Sequence, residues 1–216
     1  MTRLARWSWL AGLLMLLGCS SSPPPSVYVL SAMANPVPGA GSEAGRPVLD
    51  LKPVTLPDYL DTTDIFLRDG QNELKSSRTG RWGERLSVGI GRALSEDLTA
   101  RMPGIEVVQG EPVEPPTRRL LVDIAAFDIR PDGRCVLVAR WTILGDDNKT
   151  VLADERATII TNVAQTTSGM SDPAVVTAMA GAVTQLADHI AVNLSRSLRN
   201  SGAAARPANL APPSAH

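Results

Sequence analysis

The sequence predicts an α+β domain built on a single mixed, mostly antiparallel sheet, with two amphipathic helices packed on one of its faces. Two segments carry apolar residues at helical spacing: Leu86, Ile90, Leu94 and Leu98 in the first, and Val176, Met179, Val183, Leu186, Ile190 and Leu194 in the second. Between them, three long β-prone runs are separated by Pro131-Asp132-Gly133 and by Asp146-Asp147-Asn148-Lys149, the pattern of a meander. Two apolar helix stripes need a common apolar surface to cover, which places both on the same side of the sheet and leaves the other side to solvent or a partner.

In chain order, Val27-Tyr28-Val29-Leu30 is a short β-prone run, and Asn35 to Pro47 is a loop rich in Gly and Pro. Val48 to Val54 alternates in part, and Pro53 confines it to a sheet edge or a bulge. Leu56 to Leu60 reads as an irregular turn. Asp69-Gly70-Gln71-Asn72 then joins Ile65–Arg68 to the mostly polar Glu73–Ser76 as a hairpin with its second strand at an edge. Asp61, Asp64 and Asp69 lack the spacing of a calcium loop, so turn chemistry accounts for them.

The first helix is expected from Trp82 to Arg101, where Pro103-Gly104 stops it, and a strand from Ile105 to Val108 and a loop from Gly110 to Thr117 follow. The meander strands are Arg119–Ile129, Cys135–Leu144 and Val151–Val163. In the middle one, Cys135, Leu137, Ala139, Trp141 and Ile143 form the core face, making Cys135 a small buried residue. Asp172 is expected as N-cap and Pro173 at the first helical position of the second helix, which runs to about Leu198. His189 lies on this helix with no His, Cys or carboxylate at ligand spacing, so it is an ordinary helix residue.

The N-terminus carries the one motif with assignable chemistry. Arg3 and Arg6 precede a short apolar core from Trp7 to Leu17, the layout of an export signal and too short for a spanning helix. Leu16-Leu17-Gly18-Cys19 resembles a bacterial lipobox, with Cys19 as the thiol that would carry diacylglycerol and an N-acyl chain. Two or more acyl chains hold a protein on a bilayer stably, whereas one does so only marginally. Residues 1–18 are then the lipoprotein signal peptide and 19–26 the lipidated N-terminus and linker, with Pro23-Pro24-Pro25 favouring an extended spacer. Residues 27–200 form the folded domain. Residues 201–216, rich in Ala and Pro, form a disordered tail. Ser20 rather than Asp after the cysteine resembles lipoproteins sorted to the outer membrane, facing the periplasm.

Removing residues 1–18 takes away Arg3 and Arg6 and no acid, so the formal charge moves from −1 to −3. Such a balance lacks the basic excess of a nucleic-acid binder. There is no P-loop, no Gly-x-Gly-x-x-Gly, no Gly-x-Ser-x-Gly and no His-Glu-x-x-His. No catalytic residue, metal or cofactor is expected, the acyl groups on Cys19 aside.

Leu56-Pro57-Asp58-Tyr59-Leu60-Asp61, a polar hairpin, Arg81-Trp82-Gly83-Glu84-Arg85-Leu86 and Ala93-Leu94-Ser95-Glu96-Asp97-Leu98 follow the lipobox in order. The chain resembles the ABC-type transport auxiliary lipoproteins, the PqiC-like, membrane-integrity-associated family, from the signal to about Leu198. That resemblance implies a non-catalytic component of an intermembrane lipid transport system, docking an MCE-domain protein at the outer membrane, with the permease and ATPase elsewhere. It also implies a membrane contact through the lipid anchor, and a homo-oligomer is compatible with it. Tyr59 and Trp82 are candidate partner-interface residues, because aromatic side chains anchor interfaces. The alternative, which the residues favour, is that Trp82 packs over the start of the first helix and Tyr59 closes the turn before the hairpin. Two other classes stand beside docking: a lipid- or small-ligand-binding module with an apolar groove between helix and sheet, and an anchored enzyme with converging carboxylates.

Substituting Cys19→Ala should abolish acylation and membrane retention while the domain still folds. Intact mass of the purified protein and fractionation of the envelope check this; acylated, membrane-bound protein after the change would overturn the lipobox reading.

Overall fold

The computed structural model describes residues 23–33, 45–167 and 169–204. Cys19, the signal segment, most of the expected loop from 35 to 47 and the tail from 205 onward lie outside the described residues.

Twelve elements follow in chain order among the described residues: β1 (Ser26–Tyr28), β2 (Val48–Leu51), β3 (Asp64–Asp69), β4 (Glu73–Trp82), α1 (Leu86–Arg101), β5 (Glu106–Gln109), β6 (Arg118–Ile129), β7 (Arg134–Leu144), β8 (Val151–Asn162), β9 (Gln165–Thr166), β10 (Gly169–Met170) and α2 (Asp172–Ala204). The class is α+β, as expected, but the single sheet is corrected. The strands divide into a five-stranded sheet of order β5-β2-β6-β7-β8, a three-stranded sheet of order β1-β4-β3 and a short β10-β9 ladder. Alternation within a strand says which residues share a face; it carries no information on which sheet the strand joins.

The meander β6-β7-β8 is antiparallel throughout, with Gly133 at φ 81° in the first turn and Asn148 at φ 60° in the second. Leu120, Val122 and Ile124 of β6, with Cys135, Leu137, Ala139, Trp141 and Ile143 of β7, are all buried. Both helices pack on the sheet, α1 against β5 and α2 against β7 and β8, and they also pack on each other. By length and composition α2 could cross a bilayer between Asp172 and Arg199. Met179, Val183, Leu186, Ile190 and Leu194 of its expected stripe are instead buried in the core, with Val175 taking the place of Val176, which is only partly buried.

β2 departs most from its sequence reading. It is not an edge strand: it lies between β5 and β6, parallel to both, and all four residues are buried. Leu49 and Leu51 join the core, and Asp50, which reads as the polar half of an alternation, is a fully buried carboxylate. Arg119 Nε donates to its Oδ2 at 2.8 Å and Lys52 Nζ lies 2.9 Å from the same oxygen. Burial alone would raise the Asp50 pKa; these two cations more than offset that and hold it below the ordinary value. Pro53 falls beyond the last β5 pair, Leu51 with Gln109, so its missing N–H interrupts no bond to that strand.

Helix boundaries also shift. Trp82 ends β4 and does not open α1, because its N–H donates to Thr63 O at 2.7 Å. At α2 the Ser171 carbonyl accepts the first helical bond, from Val175 N at 3.0 Å. Ser171 is therefore the cap position and Asp172 the first helical residue. The Asp172 carboxylate accepts a 2.6 Å bond from Thr79 Oγ1 of β4. The helix passes the expected end at Leu198 and runs to Ala204, taking in four residues assigned to the tail.

Asp97 staples the two helices. It is fully buried, accepts from Arg101 Nη1 at 2.8 Å one turn along α1, and accepts from Thr184 Oγ1 of α2 at 2.9 Å. Arg101 also pairs with Asp188 of α2. Asp97→Ala would leave the partly buried Arg101 charge with Asp188 alone and Thr184 without its acceptor, and should lower the unfolding free energy by roughly 3 kcal/mol. Urea denaturation should show this as a lower midpoint at unchanged slope.

Candidate functional site where two motifs meet the tether

The first turn of α1 is assembled from distant parts of the chain. Arg85 holds the cap position but makes no side-chain cap bond, and no acidic residue lies in the first turn. The missing acceptors come from the turn before β3. Asp61 Oδ1 accepts from Ser87 N at 3.0 Å, and Thr62 O accepts from Leu86 N at 3.2 Å. Arg85 Nη2 donates to Asp61 Oδ2. Leu56-Pro57-Asp58-Tyr59-Leu60-Asp61 and Arg81-Trp82-Gly83-Glu84-Arg85-Leu86 thus converge on one helix end, where a carboxylate also complements the helix dipole. Burial would raise the Asp61 pKa, but the bonds from Ser87 and Arg85 outweigh it and hold the carboxyl below its ordinary value.

The N-terminal segment enters the fold at the same place. β1 pairs in parallel with β4, Ser26 opposite Gly80, Val27 opposite Arg81 and Tyr28 opposite Trp82. Gly83 N donates to Tyr28 O at 2.7 Å. Arg92 of α1 donates through Nη2 to Leu30 O at 2.8 Å and to Glu84 Oε1 at 2.6 Å. Leu30 itself is 1 % exposed. The chain leading from residue 19 is therefore bound to the core from its first strand onward.

Of the two candidate interface aromatics, the structure buries Trp82 at 3 % exposure, which removes it from the exposed surface. It lines a tightly filled niche with Tyr28, Leu30 and Leu86 at the start of α1. Tyr59 is 47 % exposed and lies beside Arg68, whose Nη2 donates to Asp128 Oδ1 at 2.9 Å across to the large sheet. Cys135 is fully buried, and burial raises its thiol to about 11, so it is unreactive. His189 is exposed and tilts over Trp141 at a ring distance of 6.2 Å. No cluster of three His, Cys, Asp or Glu suited to a metal occurs among the described residues.

Two depressions mark the surface. A groove of about 300 Å³ runs between the start of α1 and the ends of β2 and β5, lined by Leu51, Lys52, Val54, Val88, Gly91 and Gln109. On the sheet face away from the helices, Asp123, Arg140, Asp154 and Arg156 line a shallow charged depression, with Arg140 donating to Asp154 through Nε at 2.8 Å and Nη2 at 2.6 Å. The sequence reading missed the roles of Asp61, Arg92 and Asp50. The partners that give them those roles, Ser87 for Asp61, Leu30 O for Arg92 and Arg119 for Asp50, lie far away along the chain. The Asp97 and Arg101 pair did carry a signal, an i, i+4 acid–base spacing.

A sequence model of a family described as ABC-type transport auxiliary lipoprotein component matches residues 28–191. The chain is 24 % identical over 139 residues to the intermembrane transport lipoprotein PqiC of Escherichia coli (strain K12), a match covering 64 % of this chain and 73 % of PqiC. Among solved structures, an uncharacterized protein matches with a TM-score of 0.66 at 17 % identity, over 80 % of this chain and 99 % of its own. A Xanthomonas campestris protein matches with a TM-score of 0.64 at 15 % identity, over 82 % and 98 %. At these identities the structural likeness shows a shared fold.

Asp61→Ala removes the cap of α1 and should lower stability by about 1–2 kcal/mol. The ion pair adds little to that, because the Arg85 side chain is 66 % exposed. A carboxylate with a lowered folded-state pKa contributes stability above its unfolded value, here 3.8, and loses it as pH falls through the folded value. Denaturation midpoints of the native chain should therefore drop in acid below about pH 5, and those of Asp61→Asn should drop less.

Proposed function

Because the chain belongs to the ABC-type transport auxiliary lipoprotein family, we propose that it is a membrane-anchored, non-catalytic component of an intermembrane lipid transport system. In this reading Cys19 carries diacylglycerol and an N-acyl chain that fix the domain to the periplasmic leaflet of the outer membrane. The folded surface captures the end of an MCE-domain assembly, and the ATPase that drives transport lies in other subunits. The match to PqiC, an intermembrane transport lipoprotein, supports the transport role.

The observation that carries docking over lipid carriage is how the space between helices and sheet is filled. Leu94, Leu98, Leu120, Leu137, Ile143, Leu186 and Ile190 occupy it, each at 0 % exposure. A carrier needs an apolar chamber at the position these side chains take up. The groove beside α1, at about 300 Å³, has only the lower size of a small-molecule pocket, and it opens to solvent.

Crosslinking in the native envelope followed by purification of this chain should retrieve an MCE-domain protein. Recovery of the acylated chain with no such protein attached, or with stoichiometric lipid extracted from the domain of a Cys19→Ala variant, would overturn the docking role.

A further inference from the structure

β1 and the residue after it turn two valines outward. Val27 is 57 % exposed and Val29 51 %, and Met33 just beyond is 57 % exposed. The two valines sit together over Gly83: a Cβ there would come within 3.1 Å of Val27 Cγ1 and 3.3 Å of Val29 Cγ1, whereas Met33 lies against Gly181 of α2. Arg81, directly opposite Val27 in the ladder, shares that outward side. Arg78 stands in the irregular stretch where β4 leaves its register with β3. Both arginines are exposed, and neither guanidinium takes part in an ion pair or hydrogen bond among the described residues. Asp64 of β3 stands opposite Arg81 in the ladder. Asp172 lies on the inner side, against Gly80 and Thr79.

We propose that this face, formed by Val27, Val29, Arg78 and Arg81, rests on the phospholipid headgroups of the bilayer to which Cys19 ties the chain, so that the domain is held in one orientation. The proposal rests on the tether reading of Cys19. Seven residues lead from Cys19 to Ser26, and at full extension they span at most roughly 25 Å. The face cannot swing free of the domain, because Tyr28 O, Leu30 O and Ala32 N are bonded to Gly83, Arg92 and Glu96. A short tether therefore keeps this end of the domain at the leaflet. There the valines match the apolar side of the interface, and the two guanidiniums match phosphate oxygens with paired donors. Long basic side chains can bury their stems while the charge stays with the headgroups.

The test uses the full acylated chain in vesicles of phosphatidylethanolamine and phosphatidylglycerol that contain a headgroup-level nitroxide lipid. A fluorophore is placed at Val27→Cys or at Val151→Cys; the native residues are equally exposed at 57 %, and Val151 opposes Leu144 at the far end of the large sheet. Cys135 is buried and Cys19 is acylated in this reading, so the label goes to the introduced thiol. Position 27 should be strongly quenched and position 151 weakly. Each arginine near an anionic leaflet biases the docked population roughly fivefold, so Arg78→Glu with Arg81→Glu should sharply lower quenching at 27 while 151 stays weakly quenched; unchanged quenching at 27 overturns the docked face. Val29→Cys repeats the measurement outside the ladder, should Val27→Cys disturb β1. Acylated protein quenched equally at both positions, or more at 151, overturns the proposed orientation and leaves the tether intact. Protein of unacylated mass that stays off the vesicles overturns the tether reading and the orientation with it.

Discussion

Asp61 is the carboxylate on which the assembly of this fold turns. A helix begins with unsatisfied N–H groups, and α1 has no local side-chain acceptor for its first two, since its cap position is an arginine and its first turn carries no acid. The acceptors arrive from the turn before β3, as the Asp61 carboxylate and the Thr62 carbonyl. α1 therefore completes its first turn only when the small sheet is in place beside it. The adjoining bond from Trp82 N to Thr63 O ties the end of β4 to the same turn. Helix, hairpin and the buried indole close as one unit.

Buried acids recur as the devices that join one layer to the next. Asp50 bonds to Arg119 on the neighbouring strand, Asp97 to Arg101 and across to Thr184, and Asp128 to Arg68 on the other sheet. Ion pairs of this kind add little net stability compared with a well-packed apolar contact. They penalise alternatives, because a shifted strand or a slipped helix would leave a carboxylate buried without its cation. In a chain whose core is mostly Val, Leu, Ile and Ala, which pack interchangeably, such pairs help to choose one register among many.

What the sequence reveals follows the range of the interaction concerned. The meander and the two helix stripes were legible because their signals repeat within one element: Cys135, Leu137, Ala139, Trp141 and Ile143 alternate, and Leu86 through Leu98 step by turns. β2 was not legible. Asp50 and Pro53 read as the polar face and interruption of an edge strand, whereas the partners that bury the strand come from β5 and β6, much later in the chain. The division into two sheets was hidden for the same reason, since the parallel pairing of β1 with β4 leaves no mark in either segment. At the site, both motifs could be seen as strings; that the last residue of one caps the helix opened by the other could not. For Trp82 the residues favoured packing over the start of α1 to an interface role, and its burial agrees with the packing reading.

The clamp on β1 sets how the domain bears load. Tension applied through residues 23–25 would reach β1 first. From Tyr28 O it passes to the backbone of Gly83, and from Leu30 O through Arg92 to the middle of α1 and to Glu84. The line of force thus ends on a helix packed in the core, with no slack loop in between. A pull at the N-terminal end of β1 would be felt as displacement of the whole body, the mechanical behaviour of a rigid fitting.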